Sequence, residues 1–389
     1  MMEKYYIFGC AIRGEQVHKV LRDSGKNIVY FIDNNKILHG TAINGTTIVS
    51  FDDAKSTFDE NSIIVVTIID GEKRKEVIRQ IKSSDFTGKI FTSEEFHKSY
   101  EIPLLVSQRE SQYEVDFKNS IQSWIDNLLS EVEFWAKDVA CCEGDYYAHY
   151  LHRISPKSFD CNRINVDVKS NDIVLDVGCG LCTQYGDIVE NGKIDLLGVD
   201  PLAFYYNNIN EHFQKNHNLN YKIPKVGFGM FELLTYFYGT NYCDYLLIDN
   251  ALDHCIDPVM SLVECLRVTK IGGMVSTLHH VNEAYKAYYK GLHQWNIGSY
   301  NDALYIWNED NCINVSDLLS EYADIEVIKQ DICTKESPYG LVICNMKKKK
   351  EIPVDFMRLE QESVGVLVRE MMRKLADLEY AKEYIKICC

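Results

Sequence analysis

One stretch constrains this chain more than any other: Val174-Leu175-Asp176-Val177-Gly178-Cys179-Gly180. A buried-type strand carrying an acid runs directly into a glycine turn. Glycine permits the tight turn and lets backbone approach a ligand closely. The acid can accept hydrogen bonds from an ammonium group or its water. A second acid, Asp200 in Leu197-Gly198-Val199-Asp200-Pro201, ends the next predicted strand. A carboxylate there reaches a ribose, whose two hydroxyls are donors. Singly, Asp176 reads as a capped turn and Asp200 as an N-cap ahead of a helix begun by Pro201. Together they point to an adenosine-bearing ligand.

The surrounding pattern is α/β. Ile173–Val177 and Asp195–Val199 are followed by expected strands at Tyr221–Val226, Tyr245–Ile248 and Met274–Leu278, with Ile325–Ile328 and Leu341–Cys344 as a closing antiparallel pair. Helices fill the gaps, among them Pro258–Val268. Ile271-Gly272-Gly273-Met274 reads as a glycine turn feeding the fifth strand. The N-terminal segment has its own alternation: strands at Tyr5–Phe8, Ile28–Ile32, Ile63–Thr67 and Lys89–Phe91, with helices around Val17, Val20 and Leu21 and over Glu72–Lys82. Such alternation predicts parallel sheets with helices on both faces. The expected fold is two Rossmann-like units, the second seven-stranded. The expected divisions are 1–100 for a small nucleotide-binding unit, 101–168 for a helical linker or lid, 169–350 for the second unit, and 351–389 for a helical tail. Phe117, Ile121, Trp124, Ile125, Leu128, Leu129, Val132 and Trp135 recur at helical spacing. Cys141–Tyr150, with Tyr146, Tyr147 and Tyr150, reads as a loop or lid. In the tail, Val364, Leu367, Met371, Leu375 and Leu378 form one apolar stripe running toward Ile387, packed on its own unit or forming a homodimer contact.

The second unit resembles the class I S-adenosylmethionine (SAM) dependent methyltransferases. The matching pieces are Leu175–Gly180, Gly198–Asp200, Asn250-Ala251-Leu252-Asp253-His254-Cys255-Ile256-Asp257-Pro258 and Leu266–Gly273, in order, over about 170–346. The resemblance implies SAM as methyl donor. It assigns cofactor contacts to Asp176, Gly178, Cys179, Gly180, Asp200, Pro201 and Asn250. It also places Phe228-Gly229-Met230-Phe231-Glu232 beside adenine, with Met230 where the family carries an acid, leaving adenine to backbone and Phe231.

Methyl transfer to a hydroxyl needs alignment and a place for the proton. Histidine suits that task near neutral pH. His254 beside Asp253 follows the fourth strand; His279 and His280 follow the fifth; His293 lies in Gly291-Leu292-His293-Gln294-Trp295, a segment resembling that of sugar-cluster methyltransferases. His254, His279, His293 and Asp253 are the candidate catalytic residues, against the plainer reading of loop and core histidines. Trp295 stacks on a sugar or lies in the core. The expected reaction is O-methylation of a small polar acceptor, a sugar or nucleotide-sugar in surface-glycan biosynthesis. The alternatives are a non-catalytic SAM- or nucleotide-binding scaffold, and a dinucleotide oxidoreductase working through the first unit.

In that first unit, Gly9-Cys10-Ala11-Ile12-Arg13-Gly14 departs from a dinucleotide fingerprint by Ala11, and Asp33 ends the next strand. The stretch resembles the N-terminal domain of bacterial sugar acyltransferases of the PglD type, through Tyr6–Gly9, Phe31–Asn34 and Gly45-Thr46-Thr47-Ile48-Val49. That resemblance implies a nucleotide-sugar near Gly9, Arg13, Gly14 and Asp33.

A net charge of −16 over 389 residues opposes binding to a phosphate backbone. The basic run Lys347–Lys350 reads as a solvated strand end or linker. The 14 cysteines are scattered, and Cys179-x-x-Cys182 lacks a second pair, so no metal is expected; Cys388 and Cys389 read as an exposed tail. With no leader and no apolar run of membrane length, the expected location is cytoplasmic.

Overall fold

The computed structural model describes residues 3–103, 106, 113–141, 144–164, 166–330, 339–357 and 361–375. The stripe positions Leu378 and Ile387 and the cysteines Cys388 and Cys389 lie outside them. The chain divides into two compact units, Met1–Glu110 and Ser111–Cys389.

The first unit is a six-stranded sheet. Its strands are β1 (Lys4–Phe8), β2 (Asn27–Ile32), β3 (Ala42–Ile43), β4 (Thr46–Val49), β5 (Ser62–Val66) and β6 (Lys89–Thr92), in the order β3-β4-β2-β1-β5-β6. All pairings are parallel except the β3–β4 hairpin. The central strand β1 has apolar residues on both faces, because Tyr5 and Ile7 enter one core and Tyr6 and Phe8 the other. The helices Ile12–Asp23 and Gly71–Lys82 supply the covering layers through Val17 and Leu21 on one side and Val77 and Ile81 on the other.

The second unit begins with the helices Phe117–Cys141 and Gly144–Ile154. The expected loop at Cys141–Tyr150 is therefore mostly helix. Tyr150 is buried there and donates its hydroxyl to Asn210 Oδ1 at 2.9 Å. The sheet comprises β7 (Ile173–Val177), a small ribbon β8 (Ile188–Val189) and β9 (Gly192–Lys193) standing beside it, then β10 (Asp195–Asp200), β11 (Gly227–Phe228), β12 (Cys243–Asp249) and β13 (Thr269–His280). A separate three-stranded antiparallel sheet follows, β14 (Asn296–Tyr300), β15 (Ala303–Trp307) and β16 (Cys312–Asn314). The main sheet closes with β17 (Ala323–Gln330) and β18 (Leu341–Lys348), giving the order β11-β10-β7-β12-β13-β18-β17. Only the pairings of β18 are antiparallel. This is the seven-stranded architecture with its closing hairpin.

Four expectations are corrected. The third strand lies at Gly227–Phe228, and Tyr221–Val226 is irregular; Pro224 interrupts that run and has no N–H for a ladder. Gly272 and Gly273 lie inside β13, where Gly272 takes φ 81° and the pairing with β12 shifts register; they form a bulge rather than a turn before the strand. The three-stranded sheet occupies a stretch expected to be helical. Lys348 is buried: its ammonium donates to Asn241 Oδ1, Thr269 O and Glu351 Oε2 at 2.9, 2.8 and 3.1 Å. That lysine ties β18 to the start of β13 and is no solvated linker. In the tail helix Gln361–Leu375, Leu367 and Met371 pack into the unit's own core with Ile121 and Ile125. Among the described residues no helix is long and apolar enough to cross a membrane.

Candidate active site

Neighbouring β7 and β12 mark the point where the strand order reverses, and open parallel sheets bind ligands outside the carboxyl ends of strands there. A cleft lies at that place. Its floor is built strand by strand: Gly178 and Gly180 after β7, Asp200 and Pro201 at β10, Met230, Phe231 and Glu232 after β11, Asp249, Asn250 and Ala251 at β12. The wall opposite comes from the first helix of the unit. Trp124, Leu128, Glu131 and Trp135 share one helical face and all line the cleft, and Arg153 joins them from the next helix.

The turn after β7 explains its glycines in two different ways. Gly178, at φ +72°, is packed so tightly that a Cβ would stand 2.4 Å from Ala251 Cβ. Gly180, at φ +64°, faces space, with Arg153 Nη1 at 3.5 Å the nearest group a Cβ would meet. The first glycine serves packing; the second leaves backbone open to a ligand. Cys179 is buried behind the turn with Cys182. Asp200 accepts the Gly180 N–H through Oδ2 at 3.1 Å and the Leu202 N–H through Oδ1 at 2.8 Å. Asp176 lies beneath the cleft, buried, and its Oδ2 has no hydrogen-bond partner. Burial pushes both carboxyls up to about 7, against the backbone N–H donors of Leu202 and Gly180 at Asp200 and the Thr183 hydroxyl at Asp176.

Met230 and Phe231 both line the cleft. Glu232, the last residue of the segment 228–232, accepts the Ile256 N–H at 2.8 Å and holds the loop that follows the catalytic candidates. Burial lifts its carboxyl to about 7. Asn250 adopts φ 52°, donates its N–H to Leu278 O and accepts the His280 N–H through Oδ1 at 2.9 Å. It thus locks the ends of β12 and β13 together while lining the cleft.

Three of the four catalytic candidates meet. His293 Nδ1 lies 2.6 Å from Asp253 Oδ2 and 3.0 Å from His254 Nε2, and His254 Nε2 lies 3.6 Å from Asp253 Oδ2. His254 lines the cleft, so this cluster stands at its edge. Two bonds hold it: the Trp124 indole donates to His254 O at 2.7 Å, and Gln294 N–H donates to Asp253 O at 3.2 Å. Burial would lower the His293 pKa, yet the hydrogen bond and charge of Asp253 bring it up to about 8. Burial would raise Asp253, but His254 and His293 hold it below the usual carboxylate range. His279 is not among the residues lining the cleft. It is buried, neither ring nitrogen has a partner, and burial lowers its pKa to about 4. Trp295 is buried against Tyr113, with ring centroids 5.7 Å apart, and belongs to the core. The Glu131 and Arg153 side chains were not foreseen. Only the i, i+4, i+7 relation of Glu131 to Trp124 and Leu128 could have pointed to the first.

In the other unit, Gly9 takes φ +116° and a Cβ on Gly14 would stand 2.1 Å from Gly9 O. Both glycines are required by the close packing of strand and helix. Asp33 accepts the N–H groups of Cys10 and Asn35 at 3.3 and 2.8 Å, and Arg13 is buried.

Residues 175–287 match the family described as methyltransferase domain. An uncharacterized methyltransferase of Schizosaccharomyces pombe is 33% identical over 155 residues, 39% of this chain and 48% of the relative. The chain thus spans about half the length of that curated relative. Among solved structures, a SAM-dependent methyltransferase from Methanosarcina mazei aligns with 50% of this chain and 100% of its own, at 16% identity and TM-score 0.30. UDP-D-quinovosamine 4-dehydrogenase from Vibrio fischeri aligns with 24% of this chain and 78% of its own, at 21% identity and TM-score 0.21. The cleft has features the family's cofactor could use: Gly180 leaves backbone exposed, the Asp200 carboxylate lines it, and Asp176 holds an unpaired buried oxygen beneath. Residues 175–287 are therefore similar to a methyltransferase domain, and that family implies S-adenosylmethionine as its methyl donor.

Proposed function

We propose that the chain O-methylates a small polar acceptor, a sugar or nucleotide-sugar of the kind used in surface-glycan synthesis. When bound, SAM supplies an electrophilic methyl group on a sulfonium. The protein's own residues do the rest. Asp200 orients the ribose, and the backbone around Gly178 and Gly180, with Asp176 beneath it, takes the amino-acid end. Pro201 and Asn250 shape the walls, and Met230 and Phe231 flank adenine. The acceptor hydroxyl enters at Asp253, His254 and His293, which activate it, while Trp124, Leu128 and Trp135 exclude water from the roof. His279 supports that corner from within. The first unit, through Gly9, Arg13, Gly14 and Asp33, holds a nucleotide-sugar.

The observation that carries this reading is the position of His254: it lines the cofactor cleft and belongs to the polar cluster. A group that touches it can also face the methyl donor, as in-line transfer requires. The test is methyl transfer from labelled SAM to a panel of nucleotide sugars, with protein and RNA as comparison substrates. Label is expected on a sugar oxygen. Labelling of RNA or protein alone would overturn the proposal.

A further inference from the structure

The geometry points to a divalent transition-metal site formed by Asp253, His254 and His293 at the acceptor end of the cleft. Three lone-pair atoms converge there, Asp253 Oδ2, His293 Nδ1 and His254 Nε2, at separations of 2.6, 3.0 and 3.6 Å. His293 Nδ1 faces both of the others. That nitrogen carries at most one proton, in the ring plane, and one proton makes one good hydrogen bond. If it serves Asp253, the contact with His254 is poorly made. A cation satisfies all three atoms at once. First-row ions sit about 2.1 Å from such ligands, and neighbouring ligands of an octahedron then lie about 3 Å apart. The three separations scatter around that spacing.

The donor set agrees. Two imidazoles and one carboxylate on one triangular face suit first-row divalent ions and leave open positions on the far side. A second observation comes from Asp253 itself. Its Oδ1 is buried with no hydrogen-bond partner, although the side chain is only 2% exposed. An ion held by both oxygens removes that orphan. The loops carrying the ligands are already fixed by the Trp124 and Gln294 bonds, so little ordering is left for the ion to impose. Sequence spacing concealed the site, because Asp253 and His254 are adjacent while His293 comes from beyond β13.

The inference rests on the proposed function for what the ion does, though not for where it binds. One aspartate and two neutral imidazoles leave a divalent site with net positive charge, which favours an oxygen anion as the next ligand. A hydroxyl bound there is acidified. Its proton leaves to solvent, its oxygen forms the new bond to the methyl carbon, the carbon–sulfur bond breaks, and sulfur keeps the electron pair.

The test uses the full chain stripped with a chelator and titrated with Co2+, followed by calorimetry and by visible absorption. One equivalent is expected to bind with the weak bands of oxygen and nitrogen ligation. The intense charge-transfer bands of a thiolate site would overturn the assignment. His293→Ala and Asp253→Asn, the latter preserving shape, are expected to weaken binding at least tenfold, with unchanged circular dichroism and SAM affinity. Equal Co2+ affinity in the wild type and both variants would overturn the site. Methyl transfer to a sugar by metal-free chain would remove the ion's role and leave the proposed function standing. A bound ion with no O-methylation of any hydroxyl acceptor would do the reverse.

Discussion

At the residue scale, the two carboxylates that end β7 and β10 differ in what they already hold. Asp200 has both oxygens engaged by backbone N–H groups, yet it faces the cleft. Asp176 is buried below with one oxygen unpaired. Asp200→Asn keeps the side chain's shape and an acceptor for one N–H, but removes the charge that a ribose pair would meet. A charge-assisted hydrogen bond contributes about 1.5–3 kcal/mol, so SAM affinity should fall about 10- to 100-fold. Calorimetric titration with SAM or its demethylated product checks this. Unchanged affinity would move the ribose elsewhere. The acids were legible in the sequence because each closes a buried strand. The cluster at the acceptor corner was legible only as separate histidines. No local pattern shows that Gln294 N–H bonds Asp253 O and so brings His293 beside it.

At the scale of elements, the roof and the sheet make different predictions. Trp124 projects from the helix Phe117–Cys141 and donates to the backbone carbonyl of His254, at the proposed acceptor corner. Trp124→Phe keeps an aromatic wall and loses about 1 kcal/mol of hydrogen bonding. Turnover should fall several-fold while SAM affinity changes less, since the bond positions the acceptor corner; steady-state kinetics separate the two. Lys348 tests the sheet. Its buried ammonium donates to the carbonyls of Thr269 and Arg267 inside and to the exposed side chains of Asn241 and Glu351 outside. Lys348→Met removes the ammonium from the buried carbonyls of Thr269 and Arg267, and the expected loss of stability is about 1–3 kcal/mol, read from urea unfolding. A sequence reading treats four consecutive lysines as surface, because alternation along β18 alone does not reveal which one finds acceptors inside. Other elements were plainer. The helix Pro258–Val268 starts where Asp257 caps it and Pro258 takes its first turn. The sheet of β14, β15 and β16 was missed, although Asn301 and Asp302, at φ 48° and 60°, are suited to a tight hairpin turn. Two short strands around such a pair do not outweigh the helix expected between strands of an α/β unit.

At the scale of the whole molecule, the second unit buries carboxyls that burial favours in their protonated form, Asp257 among them. Burial lifts Asp176, Asp200 and Glu232 each to about 7. In an unfolded chain the same groups titrate near 4. Between those values the folded state binds more protons than the unfolded state, so stability falls as pH rises through that window. The cost is complete above about pH 7. Melting temperature of the unliganded chain should therefore decline from pH 5 to pH 8, and Asp200→Asn should flatten part of that slope. A bound ribose donates to ionised Asp200 and offsets its desolvation, so the stabilisation by SAM should be larger at pH 8 than at pH 5. Thermal unfolding across this range, with and without ligand, gives both readings. A melting temperature that rises through the window would mean that these carboxylates find donors in the free protein and that the cleft is not built to wait for its ligand.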